Sequence, residues 1–226
     1  MDSNDSGDSY NNPRYIKFRF GHINVSAISQ ENHPVHPNVL HLSILRSPLV
    51  RTLTWLIRKL PTFLQMLVVM VFPAFFLPDR VVLKKTKPGW LEEFDNEKRM
   101  YRRLEHLQGR MIPKLYGEAE FEGARALILS EVVGIMPWEQ QRPPLEVDEF
   151  KELVEVVFGE LNAVDLGYED IKLDNFIMVQ GRIVLVDLES VYEPKPEDRE
   201  YSFNSDRIHL GVIYKRYLDN YGKDNF

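Results

Sequence analysis

The sequence contains no cysteine among its 226 residues, which excludes a disulfide framework and a thiolate zinc site. It also has no excess of basic residues: 28 Lys and Arg stand against 34 Asp and Glu, a formal net charge of -6. This balance argues against a general nucleic-acid binder, so we expect no nucleic-acid partner. The polar start, MDSNDSGDSYNN, lacks the features of a signal or transit peptide. We therefore expect a cytoplasmic location, with residues 1–12 as a disordered tail.

Glycine is absent between Gly21 and Gly89. A glycine-rich phosphate-binding loop is thus missing from this part of the chain, where side chains hinder the close approach of a backbone to phosphate. The six histidines show no metal-binding spacing along one helix, so surface or core packing is their expected role.

Charge is absent from the 19 residues 60–78, LPTFLQMLVVMVFPAFFLP. The run is long enough to span a bilayer, and Arg58 and Lys59 precede it. Its three prolines and Gln65 are also typical of a helix or strand pair buried within the fold. Two alternatives stay open: burial within the fold, or membrane association by spanning or surface insertion.

Secondary-structure signals are weak before residue 80 and clearer after it. RYIKFRF and INVSAI alternate as strands do, and SPLVRTLTWLIRKL has the spacing of a short amphipathic helix. Further along we expect these elements: a strand over DRVVLKK, a helix over about 90–108, a buried strand in ALILSEVVG, a helix over VDEFKELVEVVFGELNAV, a hairpin from FIMV to RIVLVD, and a last helix over about 205–220.

Polar residues follow these elements in an order that suits phosphoryl transfer. Lys84 lies in the strand, Glu97 in the helix, DIKLDN in a loop, and Asp187 after the hairpin. Transfer from ATP needs a cation on the phosphates, an acid that orients the attacking hydroxyl, and oxygen ligands for Mg²⁺. Each residue alone has an ordinary explanation, such as a surface ion pair or a turn, but their joint order favours this chemistry.

Four motifs resemble those of the protein-kinase-like superfamily: VVLK, NEKRMY, DIKLDN and VDLE stand where VAIK, the αC helix, the catalytic loop and DFG stand. The resemblance covers about residues 80–190 and is nearest to small atypical kinases, aminoglycoside-phosphotransferase-like proteins and kinase-like proteins of fungi. It implies an α+β, protein-kinase-like two-lobe fold. Its parts would be an atypical N-terminal segment (13–79), an N-lobe-like part (80–134) and a minimal C-lobe with the catalytic loop (135–226).

The resemblance implies roles for the loop and the residues after it. Asp170 would accept or orient the substrate hydroxyl, and Lys172 would neutralise the transferring phosphoryl group. Asn175 and Asp187 would hold Mg²⁺, and Glu189 would add a ligand.

The resemblance also implies a nucleotide site. Lys84 would contact the ATP phosphates and Glu97 would hold that lysine by an ion pair. Glu131 and Val133 would belong to the hinge on which adenine stacks and hydrogen-bonds.

Two further positions concern the support of the loop. Tyr168 stands in place of the histidine of HRD, and a tyrosine can brace the loop by packing and one hydrogen bond. Asp206 would anchor the loop from the last helix.

The function expected from the sequence is an ATP- and Mg²⁺-dependent phosphotransferase acting on a hydroxyl acceptor, either a small molecule or a protein. The missing glycines motivate an alternative: a pseudokinase that serves as a nucleotide-binding or protein-interaction module. Either form could be attached to a membrane through residues 60–78.

Overall fold

The computed structural model describes residues 14–32, 36–141 and 143–220, so the tail predicted for residues 1–12 lies outside the described residues. The chain forms two compact units, each built from two stretches of sequence. The first unit combines the residues up to Leu91 with Lys114–Glu131. The second unit combines Glu92–Pro113 with Val132–Phe226. These borders differ from the expected ones at 79 and 134.

The first unit contains, in chain order, β1 (Arg14–Phe20), β2 (Ile23–Asn32), β3 (Val39–Leu45), α1 (Pro48–Ile57), α2 (Thr62–Val71), β4 (Arg80–Lys85), β5 (Leu115–Phe121) and β6 (Ala124–Ser130). The second contains α3 (Leu91–Arg103), α4 (Val147–Asn162), β7 (Gly167–Tyr168), β8 (Phe176–Val179), β9 (Arg182–Leu185), β10 (Val191–Tyr192) and α5 (Arg199–Asn220).

Six strands of the first unit close into an antiparallel barrel with the order β1-β2-β3-β4-β6-β5. Two residue pairs, Arg19 with Glu120 and Phe20 with Ala119, join β5 to β1 and complete the closure. Closure pairs the strand edges that an open sheet would leave free.

The barrel core follows from side-chain alternation, because successive residues of a strand point to opposite faces. In β1, Ile16, Phe18 and Phe20 are buried while the residues between them are exposed. Gly117 leaves room for the ring of Phe20: a Cβ at this position would lie 3.1 Å from a ring carbon, and the backbone has φ of +148°. The buried residues of this core are Ile16, Phe18, Phe20, Val25, Ala27, Leu40, Leu42, Leu77, Val81, Leu83, Ala119, Phe121, Ala126 and Ile128.

The prediction of a protein-kinase-like two-lobe fold is wrong. The described residues form a small α+β protein with a closed six-stranded barrel and five α-helices. The segment 13–79, which the prediction set apart as atypical, supplies three of the barrel strands. β1 makes the decisive difference, because its pairing with β5 turns a sheet into a barrel.

In the second unit, α4 and α5 pack through aromatic side chains. The rings of Phe150 and Tyr214 stack with centroids 3.9 Å apart. The Tyr214 hydroxyl donates to the Leu145 carbonyl at 2.8 Å and accepts from Gln140 at 2.9 Å, so its burial leaves no unpaired polar group. The predicted hairpin is present as β8 and β9, with a tight turn at positive φ over Gln180 and Gly181.

The uncharged run 60–78 forms α2 and a short 3₁₀ helix, Pro73–Phe76. Of the two alternatives for this run, burial within the fold is wrong for α2, since none of its ten residues is buried. Leu77, beyond the 3₁₀ helix, does enter the barrel core. Within the described ranges, no helix combines the length and the apolar character needed to cross a membrane.

We expect Leu83→Ala to destabilise the protein by about 2–5 kcal/mol, since it opens a cavity in the barrel core. Leu83 is fully buried on β4. The measurement is urea unfolding of the full chain followed by circular dichroism. Leu45→Ala, at an exposed position of β3, is the matched control and should shift the midpoint little. Equal shifts for the two variants would contradict the barrel core described here.

Candidate functional site

The loop between β7 and β8 carries the sequence DIKLDN and is held at its start by two contacts. Tyr168 of β7 pairs with Val191 of β10. The Tyr168 backbone N–H donates to an Asp206 carboxylate oxygen on α5 at 3.1 Å. This confirms the expectation that Asp206 anchors the loop from the last helix.

Asp170 receives hydrogen bonds from two residues of its own loop. The Lys172 ammonium lies 2.7 Å from one carboxylate oxygen of Asp170 and 3.0 Å from the other. The Asn175 amide donates to the Asp170 backbone carbonyl at 2.9 Å and to its carboxylate at 3.2 Å. The loop therefore brings Asp170, Lys172 and Asn175 together, with the Asp170 carboxylate fixed in orientation.

The charges of the loop extend to Asp187. The hydrogen bond to Asp170 raises the pKa of Lys172, and the Asp187 carboxylate adds to this shift by its charge. A backbone hydrogen bond of 2.9 Å from the Val186 N–H to the Asn175 carbonyl ties the two segments. Asp187 is thus close to the loop, as its predicted role requires.

Three carboxylates converge at Glu97, Asp187 and Glu189. One oxygen of each lies within 4.8 Å of the others, and Glu97 is only 1% exposed. The Glu189 N–H donates to Asp187 at 2.9 Å. Carboxylate oxygens in this arrangement are ligands of the type that Mg²⁺ prefers. We refer to these three residues as the carboxylate cluster.

Two fully buried tyrosines lie close to the carboxylate cluster. Burial raises the pKa of Tyr101 well above its ordinary value, and the charges of Glu97 and Asp187 raise it further. Burial likewise raises the pKa of Tyr168, with additions from Asp187 and Asp170, and the Asn175 amide opposes this weakly. Neither hydroxyl makes a hydrogen bond of ordinary geometry to a described residue. Both phenols are therefore protonated at neutral pH.

Sequence reasoning missed Asn96 as a positioning residue. Its amide donates to the backbone carbonyls of Glu189 at 3.0 Å and Val191 at 2.8 Å, which fixes the segment after Asp187 against α3. Asn96 directly precedes Glu97 in a strongly charged helix, and nothing in the local pattern distinguishes it. Tyr101 could have been found from the sequence, because it stands one helical turn after Glu97 and residues at this spacing lie on the same face of a helix.

The remaining predicted site residues have other surroundings. Lys84, in the first unit, is 6% exposed on β4 and lies opposite Val39 and Leu127 in the register. The Glu131 carboxylate accepts from Arg80 at 2.7 Å and lies 3.3 Å from a His41 ring nitrogen. Glu131 thus joins strands of the barrel by its side chain.

Val133 belongs to the second unit and its side chain is exposed. Lys84 and Glu97 belong to different units, and the ion pair expected between them stays a prediction. The same holds for the adenine contacts assigned to Glu131 and Val133.

A surface depression of about 440 Å³ lies elsewhere in the second unit, along the segment before α5 and the start of that helix. Asp206 is part of its lining, but Asp170 and the carboxylate cluster are not. The chemistry-bearing residues and this depression are therefore separate features.

No protein-family model matches the sequence, and a search of curated proteins gives no match.

Asp206 should give the protein a measurable pH dependence. Burial raises the pKa of its carboxyl above the ordinary value of 3.8, against the opposing hydrogen bond from Tyr168. The folded protein therefore binds this proton more tightly than the unfolded chain. The contribution of Asp206 to the free energy of unfolding is therefore greatest below the ordinary pKa. It is lost as the pH rises through the raised pKa of the folded state. The Asn of Asp206→Asn retains an acceptor for the Tyr168 N–H and does not titrate.

The quantity to follow is the difference in melting temperature, wild type minus Asp206→Asn. We expect this difference to fall as the pH rises from below 3.8 and then to level off. Thermal unfolding across this range measures it. Ser205→Ala, which removes no titratable group from an exposed position of the same helix, is the control and should show no such fall. A difference that grows with pH would contradict the assignment.

Proposed function

We propose that the protein transfers the γ-phosphoryl group of ATP to a hydroxyl acceptor. The observation that carries this proposal is the fixed orientation of the Asp170 carboxylate between Lys172 and Asn175, with Asp187 close enough to act electrostatically on Lys172. Phosphoryl transfer depends mainly on positioning and charge neutralisation, and these residues supply both. The proposal takes residue roles from the resemblance, and it does not include the two-lobe fold.

The proposed step uses Asp170 as the group that orients the acceptor hydroxyl and accepts its proton. The acceptor oxygen forms a bond to the γ-phosphorus while the bond from that phosphorus to the β-bridging oxygen breaks, and ADP leaves with the electron pair. Lys172 offsets the negative charge of the transferring group. A positioned base of this kind contributes typically about 10²–10⁴-fold to the rate.

Mg²⁺ is the metal that best fits the oxygen ligands of this site. The predicted ligands are Asn175 and Asp187. With its amide nitrogen bonded to Asp170, Asn175 has its oxygen left for a cation. Glu97 and Glu189 add carboxylate oxygens close to Asp187. When bound, the ion would neutralise phosphate charge.

The nucleotide contacts remain those expected from the sequence. Lys84 is proposed to contact the ATP phosphates, with Glu97 as its partner, and Glu131 and Val133 are proposed to contact adenine through their backbone. Lys84 is buried, and lysines are almost never fully buried unless their ammonium group is paired. An ATP phosphate is the pairing group that the proposal adds. The acceptor is proposed to be a hydroxyl of a small molecule or a protein.

A second candidate is a nucleotide-binding or protein-interaction module without turnover. The observation in its favour is the absence of glycine between Gly21 and Gly89, which leaves β2, β3 and β4 without a flexible backbone segment for phosphate. Such a module would keep the arrangement around Asp170 and bind ATP without transferring phosphate.

We expect Asp170→Asn to lower ATP turnover by about 10²-fold or more, because the base is lost while the size of the side chain is kept. The assay is ADP release and autophosphorylation by the purified full chain with Mg²⁺. Glu169→Gln is the matched control, since it removes the neighbouring exposed carboxylate of the same loop. Its turnover should equal that of the wild type.

Equal turnover by the wild type and Asp170→Asn would exclude Asp170 as the base. A thermal titration separates the second candidate, since a ligand at a hundredfold excess over its Kd stabilises the folded state by about 2.7 kcal/mol. Stabilisation by ATP with Mg²⁺ and no turnover by any variant would establish the nucleotide-binding module. If ATP with Mg²⁺ gave no stabilisation and no turnover, both phosphoryl transfer and the nucleotide-binding module would be excluded.

A further inference from the structure

Helix α2 exposes an apolar stripe made of Phe63, Met66, Leu67 and Met70. These residues follow the i, i+3, i+4, i+7 spacing that places side chains on one face of a helix. Phe63 is 63% exposed and Met70 is 80% exposed. Contiguous apolar surface of this kind is uncommon on a soluble domain and marks a binding site for a partner or a membrane.

The Gln65 side chain, in the middle of α2, does not interrupt the apolar stripe. The Gln65 amide donates to the backbone carbonyls of Leu60 at 2.8 Å and Arg58 at 3.3 Å. It thereby satisfies carbonyl groups at the end of α1 and the start of the connection. Apart from Thr62 at the first position of α2, the exposed residues of this helix are apolar.

Helix α1 adds further exposed apolar residues, namely Leu49, Leu53, Trp55 and Leu56. The Lys59 ammonium lies 5.6 Å from the centre of the Trp55 ring. A tryptophan with a basic neighbour is typical of the interfacial region of a bilayer, where an amphipathic ring meets charged headgroups.

The charge of this region has one sign. Between Glu31 and Asp79 the sequence contains no acidic residue, although the chain as a whole carries a net charge of -6. Three exposed basic residues, Arg51, Arg58 and Lys59, lie on α1 or directly after it, and we refer to them as the basic rim. Arg46 is not part of it, because it forms an ion pair with Asp79.

We propose that α1 and α2 bind the surface of a membrane that contains anionic lipids. The apolar stripe would enter the interface, and the basic rim would contact the negatively charged headgroups. A ten-residue helix such as α2 is about 15 Å long, which suits a helix that lies in the plane of the interface. The proposal does not depend on the proposed phosphoryl transfer.

The charge favours a lipid surface over a second copy of the chain. In a symmetric self-contact the basic rim of one copy would lie near that of the other, and like charges would repel. Anionic headgroups attract the same residues. The basic rim therefore favours contact with an anionic membrane and disfavours contact with a second copy of the chain.

The test is co-sedimentation of the full chain with phosphatidylcholine vesicles, with and without phosphatidylserine. We expect the protein to sediment with the anionic vesicles, more weakly with the neutral ones, and less at high salt because the charge is screened. In a variant with Trp90→Phe and Trp138→Phe, we expect the emission of Trp55 to shift to shorter wavelength on binding.

Two sets of variants separate the contributions. Phe63→Glu with Met70→Glu should lower partitioning to anionic vesicles at least tenfold, because both charges would enter the interface. Arg58→Gln with Lys59→Gln should lower it about tenfold or more and leave the weak binding to neutral vesicles unchanged. All four positions are exposed, so the fold should be retained, as circular dichroism would verify.

Val156→Glu is the control, since it places a charge on an exposed apolar residue of α4 and should leave vesicle binding unchanged. Failure of the wild type to sediment with anionic vesicles would overturn the proposal. Equal binding by the wild type and Phe63→Glu with Met70→Glu would also overturn it. A third outcome is that the wild type does not bind vesicles but forms a concentration-dependent dimer, which these two substitutions abolish. The partner of α1 and α2 would then be a second copy of the chain.

Discussion

The hydrogen bond from the Tyr168 backbone to Asp206 fixes a loop that has little regular structure of its own. The loop follows the two-residue strand β7 and contains a single 3₁₀ turn, Leu173–Asn175. Its other ties are also backbone hydrogen bonds: the Glu169 N–H donates to the Ser190 carbonyl at 3.1 Å, and the Asn175 carbonyl accepts from Val186. The placement of the loop therefore depends on contacts to segments that lie later in the sequence, while Asp170, Lys172 and Asn175 are oriented by hydrogen bonds within it.

The carboxylate cluster sets the electrostatic character of this part of the molecule. Three like-charged groups held within 4.8 Å of one another repel, and burial of Glu97 adds a cost of desolvation. The structure offsets part of this cost with a backbone N–H on Asp187 and with the charge of Lys172. The buried Tyr101 and Tyr168 stay neutral because burial raises the pKa of both hydroxyls. The two phenols thus add no negative charge to that of the carboxylate cluster.

Local sequence patterns predicted those helices and strands whose pattern is complete within a short stretch of the chain. Alternation in RYIKFRF predicted β1, helical spacing predicted α1 and α4, and the Gln180-Gly181 turn predicted the hairpin. The barrel could not be predicted in this way, because its closure rests on Arg19 and Glu120, which are distant in the sequence. The loop around Asp170 was accessible to sequence reasoning, since its residues lie within six positions. Asn96 was not, because its partners are backbone carbonyls about ninety residues away.

The two units are interleaved along the chain. The barrel needs β5 and β6, which enter the sequence only after α3 has begun the second unit. During translation the first four strands would therefore wait, with an unpaired β4 edge and an open apolar interior, until Ser130 has left the ribosome. Helix α3 would emerge before the elements with which it is to pack. The gene has consequently no single break point at which one unit could be expressed without the other, and early intermediates would be the forms most exposed to chaperones.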